Sequence, residues 1–340
     1  MVNFLLPLLL SLATSSINAA SLTEPSLGPS ISMNLTDLYS SVTNTTSLGD
    51  GGTGGIDPRF TVNYHLGGIP LRPIACLMNA VNAMTKLALQ DFDADILPIV
   101  ARLPSYSDVV IRSGAATLSP GTIPIRFILW GIWSSALLMM TRYDFQTMHL
   151  TLNFDGAVVG YLGIEKPDPQ NPSLAGSNDG SSGGSLERRS NVELPAMSPS
   201  KTLANFTMLS NRASLSLTNT TAPHNAGNLR VFINPVGQSL TNNEFFIPIL
   251  AGLDYVARFP STSPVYGFVV RPSLTDAWIE FRDYGARPRT EAPFFEYQWI
   301  AKALWELPGS MVPGRWREAV IVMQVDGVNV GDGWFRKGES

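Results

Sequence analysis

The chain carries one pattern of residues twice, and that repetition limits its architecture more than anything else in it. Pro104, Asp108, Ile111, Pro124, Trp130, Asp155, Gly156 and Gly160 recur in the same order as Pro272, Asp276, Ile279, Pro293, Trp299, Asp326, Gly327 and Gly331. The spacing is 168 residues for the first three pairs, 169 for the next two and 171 for the last three, so it grows only between elements. Two like-built halves are therefore expected, the mark of an internal duplication. The length agrees: 340 residues, at roughly 100–200 per domain, make about two domains.

Each copy reads as β-α-β-α-β-β. Residues 147–154 alternate polar and apolar as a half-buried strand does, with Met148, Leu150, Leu152 and Phe154 on one face. The counterpart, residues 318–325, is more continuously apolar, and both runs end in Asp-Gly. Asp-Gly between β-prone runs predicts a tight hairpin, because both central positions of a type I′ turn need positive φ. Helices are expected over 125–141 and 294–307, each after a proline whose missing N–H costs nothing at a helix start. Short strands are expected at 108–112 and 276–281, earlier strands at 59–66 and 230–234, and further helices at 73–90 and 243–258. A β-α-β crossover favours parallel neighbours and the hairpin adds an antiparallel pair, so the fold class is α+β, with mixed sheets and packed helices.

The organisation that follows is a signal peptide over 1–20, a Ser/Thr/Gly-rich segment over 21–55, a first repeat over 56–166, a flexible linker over 167–227 and a second repeat over 228–340. The apolar run Phe4–Ala13 has signal-peptide length and is followed by small residues at Ala19 and Ala20. Four acceptor sequons for N-glycosylation, at Asn34, Asn44, Asn205 and Asn219, lie in Ser/Thr-rich stretches that read as exposed loops. Arg188-Arg189 is a dibasic pair in the linker, open to a secretory endoprotease or simply an ordinary charged loop. The uncharged stretch Phe127–Met140 has 14 residues, where about 20 are needed to cross the hydrocarbon. It reads as a buried helix, and no transmembrane segment is expected after the signal.

The secretory start, the sequons, the apolar segment RFILWGIW and the strand ending in Asp-Gly together resemble a group of uncharacterised secreted proteins of filamentous fungi. The resemblance implies an extracellular fungal setting. It brings no activity, cofactor or catalytic residue.

Several chemistries are absent from the sequence. A formal charge of -4 opposes a nucleic-acid partner, since phosphate binders gather Lys and Arg on one face. One cysteine excludes a disulfide scaffold and a multi-thiolate zinc site. That residue, Cys76, lies in an apolar stretch and reads as a buried, inert thiol. Gly180–Gly184 matches the nucleophile-elbow pattern but sits in the linker, without the strand and helix whose strain makes an elbow work. Asp91, Asp93 and Asp95 alternate as Ca²⁺ ligands do, but Ile96 and Arg102 occupy the positions where an EF-hand needs Gly and Glu. A looser divalent-ion site or a solvated acidic loop remains.

The repeat also separates scaffold from candidate function, because residues present in both copies are those the fold itself demands. Asp155 and Asp326 read as turn residues, and Trp130 and Trp299 as core. His149 aligns with Val320 of the second copy, and neither His65 nor His224 has a matching histidine. No cofactor or metal site is expected, and catalytic residues are not assigned. The leading expectation is a secreted, N-glycosylated, non-enzymatic binding or surface module for an extracellular ligand. A small-molecule enzyme working between the repeats and a structural cell-wall protein are the alternatives.

Overall fold

The computed structural model describes residues 31–33, 56–117, 121–167, 192–193, 214–216, 228–285 and 292–338. The first half runs β1 (Ile31–Met33), β2 (Phe60–Pro70), α1 (Pro73–Ala88), β3 (Asp95–Ile96), β4 (Ile99–Ala101), β5 (Val110–Ala115), β6 (Ile123–Pro124), α2 (Ile125–Arg142), β7 (Gln146–Phe154) and β8 (Ala157–Glu165). Two short linker strands follow, β9 (Val192–Glu193) and β10 (Ser214–Ser216). The second half runs β11 (Leu229–Leu240), α3 (Asn242–Val256), β12 (Gly267–Val270), β13 (Ala277–Asp283), α4 (Tyr297–Gly309), β14 (Trp316–Val325) and β15 (Val328–Lys337). The chain is α+β, as its patterning implies.

Five strands of each half form the same ladder, β2-β7-β8-β5-β4 in one sheet and β11-β14-β15-β13-β12 in the other. All of these neighbours are antiparallel, and the parallel pairing of β4 with β9 makes the first sheet mixed. The crossover strands do not become the parallel neighbours expected of them. The final hairpin inserts between them, because β7 carries a matching apolar face that pairs with β2 along its length. Each unit also holds a short outer strand, β4 or β12, too brief for alternation to reveal it in sequence.

The hairpin turns form where Asp-Gly requires them. Asp155 and Gly156 have φ of 53° and 79°, and Asp326 and Gly327 have φ of 52° and 82°, the left-handed pair of a type I′ turn. Helix α3 opens with a capping box: the Thr241 side chain accepts from the Glu244 N–H, and the Glu244 carboxylate accepts from the Thr241 N–H. Helix α4 starts at Tyr297, three residues later than its sequence implies. The Val265 N–H donates to the Phe295 carbonyl (2.8 Å) and Pro264 bridges Glu296, so this stretch is held extended until the helix begins.

Each sheet turns one face to a pair of helices, and the two helix pairs pack on each other. Helix α1 touches α2, α3 and α4, and α2 touches α3. The layers are thus sheet, helices, helices, sheet. From Ala75 to Ala88 every residue of α1 is buried, the polar Asn79, Asn82, Thr85 and Lys86 included, because the helix faces its own sheet and the other half at once. One hydrophobic core runs through both halves, and the Asn243 side-chain amide donates to the Met140 carbonyl across the boundary (3.2 Å). Trp130 and Trp299 are core residues, 5% and 3% exposed. Among the described residues no helix is long and apolar enough to cross a membrane.

Candidate functional site

Because the helices fill the space between the sheets, each sheet has one face left toward solvent. These outer faces differ. In the first sheet the register sets two rows of outward residues across β2, β7, β8 and β5: His65, His149, Gly163, Arg112 and, one step along, Asn63, Thr151, Tyr161, Gly114. The same rows in the second sheet are Asn234, Val320, Trp334, Glu280 and Phe232, Val322, Asp332, Arg282. Where the first sheet has Gly163 and Gly114, the second therefore has Trp334 and Arg282. Arg282 lies over the Trp334 ring at 5.3 Å and Arg336 flanks it at 5.4 Å, covering that face.

Without side chains at Gly114 and Gly163, and with the Glu165 carboxylate lying over Gly163, the first sheet keeps a concavity of about 460 Å³, within the range of about 300–1,000 Å³ typical of small-molecule sites. Around it stand His65, His149, Arg112, Glu165, Tyr161 and Asn63. Glu165 is the pivot: one carboxylate oxygen lies 3.4 Å from Nδ1 of His149 and the other 3.7 Å from Nε of Arg112. A Cβ at Gly163 would come within 2.6 Å of that carboxylate, so glycine is what lets Glu165 fold back over the strand. Tyr161 is 47% exposed. Beside it, a Cβ at Gly114 would just touch the tyrosine side chain at 3.8 Å, so its ring leans over the second bare position.

This arrangement presents planar polar groups and one aromatic face around an open floor. Such groups hold a ligand by hydrogen bonds in fixed directions. His149 is 58% exposed, so water is not excluded as acid–base chemistry at a shielded centre requires.

The histidines singled out for lacking a counterpart in the other half are thus brought together in part. His65 and His149 are direct cross-strand neighbours despite the distance between them in sequence, and only strand register shows this. His224 lies outside the described residues, as do the signal segment 1–20, Asn34, Asn44, Asn205, Asn219, Gly180–Gly184, Arg188 and Arg189. The acidic run is tied down locally: Asp93 pairs with Arg126, Asp91 accepts from the Asp93 N–H (3.1 Å), and Asp95 belongs to β3. Among the described residues no group of three or more His, Cys, Asp or Glu is placed to hold a metal. Asp108 pairs with Arg72, which holds its carboxyl below the usual range. Cys76 is buried, and burial pushes its thiol up to about 12.

Sequence reasoning missed two buried ionisable residues on α4. Lys302 and Glu306 are 4% and 8% exposed. Burial pushes Glu306 up to about 7 and draws Lys302 down, with Lys302 resting 4.7 Å from the Trp299 ring. The only signal was two charges on a helix apolar elsewhere.

Compared with known proteins, the chain matches no family model, no curated protein and no solved structure.

Proposed function

We propose that the chain is a secreted, N-glycosylated binding protein, built from a duplicated unit, that holds a small ligand on the outer face of its first sheet without transforming it. The observation that carries this is the pair of glycines, Gly114 and Gly163, standing where the matching sheet is closed by Arg282 and Trp334. Turn aspartates and core tryptophans are common to both halves, whereas the two solvent faces differ in just the positions that open or close them. The apolar leader and the four sequons support the extracellular assignment.

A fragment library screened by ligand-observed NMR tests the site, with Gly163→Trp as the control that refills the floor. Fragments that bind the native protein and not the variant support the reading. Fragments indifferent to Gly163→Trp, in a variant that keeps its native circular dichroism, oppose it. Mass spectrometry of the protein from cells and culture medium tests the rest: a chain in the medium beginning near Ala20 or Ser21 with glycans at the sequons is expected, and a chain held in the cells with an intact Met1 and bare asparagines removes the secretion claim.

A further inference from the structure

Resting on that reading, we infer that the ligand of the first-sheet concavity is an uncharged saccharide, one pyranose face lying on Tyr161 and its hydroxyls shared among Glu165, Arg112 and the two histidines. The inference begins with charge. Glu165 already lies between Arg112 and His149, so an incoming carboxylate or phosphate would add an anion to an occupied ion pair, and an ammonium group would meet Arg112. Charged ligands of either sign lose more solvation than they recover.

Shape and chemistry point the same way. The lining is mixed: Asn63, His65, Thr151, His149, Arg112 and Glu165 set polar groups around surface that is largely apolar, so a ligand with both hydroxyls and a C–H face fits it better than a flat apolar one. These groups offer both donors and acceptors, which only a ligand rich in hydroxyls satisfies from every side. A carboxylate or guanidinium has two parallel hydrogen-bonding atoms, a fork that matches neighbouring hydroxyls on a ring. Tyr161 supplies the remaining element, a ring 47% exposed with bare Gly114 beside it, on which the C–H face of a pyranose can lie. The concavity is open along the sheet rather than closed, so a sugar at the end or in the middle of a chain fits equally.

Isothermal calorimetry on the full secreted chain decides it. The probes are the methyl glycosides of glucose, mannose, galactose and N-acetylglucosamine, with methyl glucuronide and glucosamine as charged counterparts. At least one neutral glycoside should bind, its charged counterpart more weakly. Tyr161→Ala should weaken binding about tenfold while Tyr161→Phe retains it, as loss of a ring contact requires. Tyr161 is on the surface, so neither change threatens the fold. Equal or tighter binding of the charged probes, or indifference to Tyr161→Ala, overturns the saccharide assignment. If no glycoside binds while library fragments sensitive to Gly163→Trp do, the ligand class is wrong and the site stands. If those fragments fail as well, the site falls with it.

Discussion

Trp316→Ala puts the shared core to the test. Trp316 is 1% exposed, stacked on Phe245 at 4.3 Å and edge-on to Phe246 at 5.2 Å, and its indole N–H donates to the Asn242 side chain at 2.7 Å. Truncating a core tryptophan to alanine costs about 3–5 kcal/mol, and the orphaned Asn242 oxygen adds about 1 kcal/mol. A fold of this size loses about 2–4 °C in Tm per kcal/mol, so a fall of roughly 8–24 °C follows from the two costs together. The informative part is where the loss is felt. Trp316 lies wholly in the second half, yet α1 packs on α3 and α4, so both halves should unfold in one transition. Hydrogen exchange read separately on α1 and on α3 is the assay. Equal loss of protection in the two helices is expected. Loss confined to α3, with α1 unchanged, would show two independent domains and refute the layered core.

Three further outcomes follow from the same packing. Glu306 has its folded pKa raised to about 7 from a reference of 4.5, so the folded state holds an extra proton between these values. Its stabilising contribution is full below pH 4.5 and is lost as pH rises through 7, by up to about 3 kcal/mol; Glu306→Gln should flatten this part of the urea midpoint profile against pH, and an unchanged slope would contradict it. Cys76, with its thiol near 12, should resist iodoacetamide at pH 8 in the native protein and react once denaturant is added; ready labelling of the folded chain would place it at the surface. Should the dibasic pair Arg188-Arg189 be cut, the two fragments should elute as one species in gel filtration, held by the packing of α1–α4 and by the pairing of β9 with β4, and separate elution would argue against the common core.

The fold was largely legible in the sequence because most of its elements carry local signals. Asp-Gly at both hairpins, proline before α2 and the alternation of residues 147–154 each reflect a backbone or solvent requirement met within a few residues. The short strands β4 and β12 were not legible, since three or four residues hold no period, and the start of α4 was hidden because a distant strand-like contact at Val265 fixes it. The histidines without a counterpart stood out by comparing the halves. Their meeting did not, because the partner of His149 is set by the register between β2 and β7, a nonlocal property. Gly163 and Gly114 were the least visible: a glycine in a strand gives no hint that the other sheet places Trp334 and Arg282 there until the ladders are aligned.

An NMR titration that follows the imidazole signals of His65 and His149 alongside the indole N–H of Trp334 weighs the two solvent faces in a single sample. With the methyl glycosides as probes, both histidines should shift together and saturably while Trp334 stays still. Movement of Trp334 with silent histidines would put the binding surface on the closed sheet and contradict the assignment of function to the open one.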